Sequence, residues 1–492
     1  MLISPRFTRK EPGRCKLTTK RRGRSPIRVK LIDHPTRRPA SMAWHRARSC
    51  YLDEEIGIPR QIDERKLQLV RGVFGSGHLT PFEGGMFEFR LWNIPVGDVT
   101  NGLHLTHPFH NSTQTSGRFC RGMYSNPDLS AIAAHIRHFW PDVLSAYLDR
   151  VMRYVDQCNQ KYLGLLPKAE EEARHLLSVA RPNLRGERLE KISKKVAQEQ
   201  LRMLIPVIFP TRLNHSLSLI ALIAMYRVAW TPALRDITAQ MKDQVVSKWP
   251  ELEELFGRPA GPEDEWSCSL PDGLREASVY DEPEVVGPVA VDGLERFVLP
   301  GSGDFGPLDL LHFRPQLMDD RVGGIRVPTV RMSLATLGQF QRHRTVHRGT
   351  PSFVGGIYVP PAVEGCGGAG TAKEVMQTWL DLSSELPPTL TMAIAPYGAV
   401  VEQSYQSSFL ALIHEFQGRL CWAAQEEISN LSRKVREGIV ASTGVSADHD
   451  LLQTLAPPCH KAGKCREGKS RYCGRDRSPA ARAGDYFPRR LV

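Results

Sequence analysis

The feature that most limits how this chain can fold is that it repeats itself. Two stretches share one pattern: a histidine-centred triplet, seven residues, then a serine. In THPFHNSTQTSGRF the triplet is Thr106, His107 and Pro108, and Ser116 follows. In QRHRTVHRGTPS the triplet is Arg342, His343 and Arg344, and Ser352 follows. Farther along, Pro206 in QLRMLIPVIFP aligns with Pro396 in TLTMAIAPYGA, and SLSLIAL aligns loosely with SSFLALI. A diverged internal duplication accounts for these correspondences. Such a chain builds two related units, each with an apolar face, and packs them. The second unit is shorter between triplet and proline, so a helical stretch of the first is mostly absent from it.

Length and charge set the frame. A chain of 492 residues can hold two or three domains with full cores. The net charge of +12 favours anionic partners such as nucleotides, phosphorylated metabolites or nucleic acid. Much of that charge is terminal: residues 1–30 are dense in Lys and Arg with one acid, Glu11, and the C-terminal RDRSPAARAGDYFPRRLV is also basic. Such tails are commonly solvated and disordered. The most apolar run, SLSLIALIAMY, is too short to span a bilayer, so no membrane segment is expected. Ten cysteines, mostly scattered, fit a reducing cytoplasm better than a disulfide scaffold. The expected layout is a basic tail over 1–26, a first unit over 27–256, a linker over 257–275, a second unit over 276–445 and a Cys-containing basic tail over 446–492. GRPAGPEDEWSCSLPDG, rich in Pro, Gly and acids, marks the linker.

Periodicity predicts a strand at IRVKLIDHP, a helix ending in glycine at ERKLQLVRGVFGSGH, and an alternating strand at GGMFEFRLWNI. Residues 129–180 read as a long helical hairpin and 186–256 as a further helical block. After the linker, RFVLP and VPTVRMSL read as strands, and 387–435 reads as strongly helical.

Together these motifs resemble the flavin-dependent thymidylate synthases. That family's signature is Arg-His-Arg, seven residues and Ser, continued by Gly-Arg or Gln-Arg and an aromatic. RHRTVHRGTPS matches its first part, with Gln339 three residues upstream, and QTSGRF resembles its end. GHLTPFEGGMFEF resembles the family's His-x-Ser/Thr-Pro-Phe-Glu element, LRMLIP its Ala-Arg-x-x-Leu-Pro element, and GRLCWAAQEEI its Leu-Arg followed by Ala-Gln-x-Glu-Ile. The resemblance covers roughly 27–256 once and 290–440 again. It implies an α+β fold in which two diverged copies, each an antiparallel sheet with long helices, are fused as a pseudodimer.

The departures complement each other. The first copy lacks Arg-His-Arg and has Ala229 near the place of the late arginine. The second has Phe353 and Val354 where Gly-Arg belongs, and Met392 where the Leu-Pro arginine belongs. In the family each site is built across subunits. Here the second copy keeps one side (Gln339, Arg342, His343, Arg344, Arg419) and the first keeps the other (Gln114, Ser116, Gly117, Arg118, Arg202). The two imperfect stretches therefore read as two sides of one composite site per chain.

A nucleotide monophosphate is dianionic near neutral pH, and Arg forks bind phosphate while staying charged when desolvated. The resemblance implies dUMP held by Gln339, Arg342, Arg419, Gln114, Ser116, Gly117, Arg118 and Arg202. It gives Arg342, His343 and Arg344 the catalytic role. It implies FAD held by His78, Thr80, Glu83 and the Arg342–His343–Arg344 triplet, with NADPH and methylenetetrahydrofolate as co-substrates. The family's flavin-clasping Asn-x-Arg is replaced by residues 218–220 and 408–410. Fusion implies a homodimer in place of the family tetramer, in the cytoplasm. Two other readings stay open: the same scaffold acting on another pyrimidine nucleotide, or a non-catalytic nucleotide- or nucleic-acid-binding protein. Single motifs have plainer readings too, for RHR alone can be a solvated turn and Glu427 a packing residue. Separately, Cys459, His460, Cys465 and Cys473 cluster in APPCHKAGKCREGKSRYCG and can supply a zinc or iron–sulfur site. The alternative is a plain basic tail that contains cysteines.

Overall fold

The computed structural model describes residues 25–105, 110–118, 120, 122–297, 323–446, 448–462, 465, 472–476, 478–479 and 487–492. The first-copy triplet, Thr106 to Pro108, and most of RFVLP lie outside them.

Helix and sheet are mixed, and the sheets are almost wholly antiparallel. The first sheet holds β1 (Arg28–Asp33), β2 (Met86–Pro95), β3 (His110–Gln114) and β4 (Pro210–Ser218) in the order β1-β2-β4-β3. In β2 the expected alternation puts Phe87, Phe89 and Leu91 in the core, as a period of two requires. Helices α1 (Pro39–Ser49) and α2 (Glu64–Gly75) lie between β1 and β2 in sequence, and the Asp63 carboxylate caps α2 by accepting from Lys66 N.

Residues 129–180 do not form a hairpin. A short helix, α3 (Leu129–Phe139), precedes one continuous 36-residue helix, α4 (Ser145–Ala180). Pro167 lies inside α4. An interior proline costs about 3 kcal/mol. The buried stripe of Val155, Tyr162, Ala169, Ala173 and Leu177 runs past it on one side and offsets that cost. Next come α5 (Gly186–Leu201), then, beyond β4, α6 (Leu219–Val228) and α7 (Pro232–Lys248).

The second sheet holds β5 (Ser278–Tyr280), β6 (Glu284–Val286), β7 (Ala290–Asp292), β8 (Gly324–Ser333), β9 (His347–Arg348), β10 (Ser352–Tyr358) and β11 (Ala399–Ser408). Its main order is β5-β10-β11-β8-β6, with β7 also on β8 and β9 on β11. Among the described residues only β5 and β10 pair in parallel. The helices of this half include α8 (Leu334–Phe340), α9 (Ala369–Ser383), α10 (Phe409–Arg419) and α11 (Glu426–Thr443).

Two expected helical blocks thus each conceal a strand, β4 in the first and β11 in the second. Both alternate buried with less buried residues, but apolar helices abut them directly. Each strand ends in a serine whose Oγ caps the next helix: Ser218 accepts from Ala221 N and Ser408 from Ala411 N, both at 3.3 Å.

The two halves share topology and register. The order β1-β2-β4-β3 recurs as β6-β8-β11-β9. Met86 faces Ser218 in one half and Gly324 faces Ser408 in the other. Gly97 N donates to Val207 O at 2.8 Å, and Ala335 N donates to Tyr397 O at 3.0 Å. The halves meet at their aligned prolines. Pro206 and Pro396 form an antiparallel bridge, flanked by Val207 N to Ala395 O and Tyr397 N to Ile205 O, both 2.8 Å. One core spans this seam, joining Tyr124, Met203 and Phe209 to Tyr358, Trp379 and Tyr397. A second core lies under the first sheet.

The linker stretch is fastened to both halves: Trp266 N donates to Trp230 O at 3.1 Å, and Phe353 N donates to Ser269 O at 2.8 Å. The end of the basic tail is packed rather than solvated. Arg490 is 3% exposed. Its guanidinium donates to the carbonyls of Cys421, Trp422, Ala424 and Val492, and Asn430 clasps its backbone. Those acceptors satisfy the cation's donors and make its burial tolerable. Among the described residues no helix is long and apolar enough to cross a membrane.

Candidate active site

The site lies where the two halves interlock. From the first half, β3 leads into the loop that carries Ser116, Gly117 and Arg118. Gln114 ends β3 opposite Leu213. The loop is pinned by Thr115 N to Arg212 O at 2.9 Å, and by the Gln198 amide, which donates to Gly117 O at 2.7 Å and Cys120 O at 3.1 Å. Ser116 Oγ accepts from Arg118 N at 3.3 Å. Position 117 admits no side chain, because a Cβ there would lie 2.2 Å from the Tyr124 hydroxyl.

Arginines then cross the seam in both directions. Arg118 Nη2 donates to Ala423 O at 3.2 Å, while its Nε pairs with Glu199 at 2.8 Å. Arg202, 5% exposed, lies 5.1 Å from the centre of the Tyr397 ring and donates to Gln425 Oε1 at 2.9 Å. In return, Arg342 donates to Ser112 Oγ at 3.2 Å and Ser112 O at 2.9 Å, and Arg344 donates to Asn111 Oδ1 at 3.3 Å. Gln339 donates to the same Gln425 Oε1, and Arg419 donates to Gln339 O. Gln425 is therefore a hub: its one oxygen accepts from Arg202 of the first half and Gln339 of the second.

Electrostatics follow from crowding these cations in a half-dry place. Burial pulls the Arg419 guanidinium down to about 10; Glu415 opposes this, and Arg118, Arg348 and Arg342 add to it. Burial, then Arg419, His414, Arg348 and Arg342, push the His343 imidazole down to about 2, so it is neutral at ordinary pH. Its ring meets His414 edge-on at 5.1 Å. Beneath lies Glu415, whose carboxyl burial raises to about 7 against the pull of Arg348 and Arg419. Arg348 itself covers the Phe340 ring at 4.1 Å.

Several buried polar atoms of this cluster have no hydrogen-bond partner among the described residues. They include Arg202 Nε, Gln339 Oε1, His343 Nδ1, Arg419 Nε and Gln425 Nε2. Each such atom is costly unless something supplies a partner. They comprise both donors and acceptors, and both halves contribute. Arg342, meanwhile, makes only neutral contacts, with no carboxylate paired to it among the described residues.

Other expected residues stand apart. His78, Thr80 and Glu83 are exposed in the connection from α2 to β2, and no contact joins them to the triplet among the described residues. Ser352 starts β10 opposite Glu402. Glu427 is a packing residue: its carboxylate accepts from Ser333 N and Oγ and Thr336 Oγ1 at 2.5–2.6 Å. Cys459, His460, Cys465 and Cys473 lie in a stretch of which only part is described. Among the described residues no group of three or more His, Cys, Asp or Glu is disposed to hold a metal ion. His460 instead packs against Phe487 at 5.5 Å, and Cys473 faces a cavity beside Arg181.

Sequence reasoning missed Gln425, although AAQEEI contains it, because nothing in the motif shows that its amide joins two halves. It also missed Glu199, three residues before Arg202, and Asn111 and Ser112, which accept from distant arginines.

Residues 30–251 match the family model described as thymidylate synthase complementing protein. No curated protein matches the chain. Among solved structures, a UMP/dUMP methylase PolB from Streptomyces cacaoi, bound with 5-Br dUMP, aligns at 16% identity and a TM-score of 0.32. The alignment covers 47% of this chain and 95% of that one.

Proposed function

We infer, from the match of residues 30–251 to the thymidylate synthase complementing protein family model, that the chain is an enzyme methylating a pyrimidine nucleotide. The reading is a flavin-dependent thymidylate synthase-like transfer of a one-carbon unit to C5 of dUMP. The second half is a diverged copy of the first, with units over 27–256 and 276–445, and each chain carries one composite site. The carrying observation is the set of unpartnered buried polar atoms on Arg202, Gln339, His343, Arg419 and Gln425, drawn from both halves.

A pyrimidine offers carbonyl acceptors and a ring N–H, which suits amides that both donate and accept. Gln339 and Gln425 read that edge, while Arg202 and Arg419 face its oxygens. Arg118, Ser116 and the Gly117 backbone take the phosphate, and the missing Cβ at 117 leaves room for the Tyr124 hydroxyl behind that loop. An anionic dinucleotide fits the Arg342–His343–Arg344 triplet, because Arg342 is not neutralised by any carboxylate among the described residues. His78, Thr80 and Glu83 complete that hold in this reading. Bound flavin supplies carriage of the one-carbon unit and of hydride, with NADPH as reductant and methylenetetrahydrofolate as donor. The protein's own part is orientation and positive potential in a partly dry site. His343, neutral, donates or accepts a hydrogen bond without changing charge.

A second reading, a scaffold that binds nucleotide without turnover, has one observation in its favour. Both positions of the flavin clasp, Ser218 and Ser408, spend their hydroxyls on helix caps. Expression in a thymidine-requiring host separates the two. Growth without thymidine, and a yellow purified protein, are expected; a colourless protein that fails to rescue yet binds dUMP would favour the second. One chain standing for two subunits further leads to a homodimer with two sites, which light scattering and flavin-to-chain stoichiometry check.

A further inference from the structure

Beside the composite site lies a cavity of about 600 Å3 that the nucleotide reading uses only through Arg118 and Gln425. Its walls carry Arg118, Arg181, Arg188, Lys191 and Lys195. Arg188, Lys191 and Lys195 share one face of α5 at helical spacing, and that face continues to Glu199 and Arg202 at the site. Arg118, Glu199 and Gln425 belong to both places, so the cavity opens from the site itself.

Arg181 is the decisive group. It is 6% exposed, and its side chain makes no hydrogen bond or ion pair among the described residues. Its guanidinium lies 5.9 Å from the centre of the Trp422 ring. A buried guanidinium without a bonded acceptor is expensive, and an anion is what would compensate it. The acids in the wall do not fill that role. Glu199 is ion-paired to Arg118 and attracts Arg181 through space without bonding to it. Burial, then Glu199, raises the Glu426 carboxyl to about 7, which lessens its charge near neutrality. Glu187 stands in the exposed first turn of α5.

We propose that this cavity is a second phosphate subsite, contiguous with the nucleotide site, which takes the distal phosphates of a nucleoside di- or triphosphate. Arg181 lies at its buried end and Lys191 and Lys195 at its rim. The chain then binds nucleoside polyphosphates in preference to monophosphates. The occupant rests on the nucleotide reading above; the anion site itself does not.

Calorimetry on the full chain tests this with dUMP, dUDP, dUTP and inorganic pyrophosphate. Wild type should bind dUTP at least about tenfold more tightly than dUMP, a difference of about 1.4 kcal/mol. Arg181→Ala should erase that preference and leave dUMP affinity unchanged. The pair Lys191→Ala/Lys195→Ala, one exposed and one half-buried surface lysine, carries less folding risk and should shrink it. Equal affinity for dUMP and dUTP in wild type overturns the proposal, as does a preference that survives both variants. Should no uridine nucleotide bind while pyrophosphate binds in an Arg181-dependent way, the phosphate subsite stands and the nucleotide reading falls.

Discussion

Replacing Gln425 by alanine tests the interlock most directly. The side chain is 1% exposed, and its oxygen accepts from Arg202 at 2.9 Å and from Gln339. Losing an acceptor for a buried cation costs roughly 1.5–3 kcal/mol, and losing a neutral amide bond roughly 0.5–1.5 kcal/mol. Gln339 keeps a weak bond to Ala335 O at 3.4 Å, and the partnerless Nε2 of Gln425 disappears with the mutation. Both reduce the total, so the net loss should be about 2–3 kcal/mol. Urea unfolding followed by circular dichroism measures it. A cycle with Arg202→Met isolates the cross-half bond, and the coupling should be about 1 kcal/mol or more. A loss within about 0.5 kcal/mol, as surface substitutions give, would refute the hub. So would a double mutant additive within about 0.3–0.5 kcal/mol.

Arg118→Ala and Arg342→Ala should each cost roughly 1.5–3 kcal/mol of dUMP affinity by calorimetry, and the pair should be non-additive. Ser352→Ala, which lies at the start of β10, should change affinity little, so a loss equal to that of Arg342→Ala would undo the assignment of sides. Gly117→Ala should abolish nucleotide binding or lower stability, since its Cβ would strike Tyr124; an unchanged melting temperature and affinity would contradict the packing. For pH, Glu415 has its folded carboxyl raised from 4.5 to about 7. Its contribution is therefore complete below about pH 4.5 and fades as pH rises through about 7. Glu415→Gln should flatten the decline of melting temperature between pH 5 and pH 8, and parallel curves for the two proteins would disprove the raised carboxyl.

What the sequence disclosed, and what it hid, divides along physical lines. Short local patterns were readable: the alternation of β2, the glycine end of α2, and the strand at VPTVRMSL. The strands β4 and β11 were not, because PTRLNHSLS and AVVEQSYQSS run straight into apolar helices and the period changes without a turn residue between. The long hairpin expected over 129–180 gives way to a continuous α4, whose buried stripe runs past Pro167. The prolines at 206 and 396 could be aligned, but that they touch each other is a property of packing. Likewise the arginine-bearing motifs were visible, while their neutral acceptors, Ser112, Asn111, Ala423 O and Gln425, carry no signature of their own. The burial of Arg490 is the strongest reversal. A basic terminal segment reads as solvated unless one knows that backbone carbonyls await its guanidinium.

The bridge between Pro206 and Pro396 has a kinetic meaning as well. Both sides of the candidate site hang on one covalent thread, so bringing them together is a unimolecular event. For flexible tethers the effective concentration of one side around the other reaches the millimolar range. That is far above the level of most enzymes in a dilute assay. A site assembled from separate subunits weakens on dilution by mass action. Here Arg118, Arg202 and Arg342 meet their acceptors at a rate and to an extent that do not depend on how much protein is present.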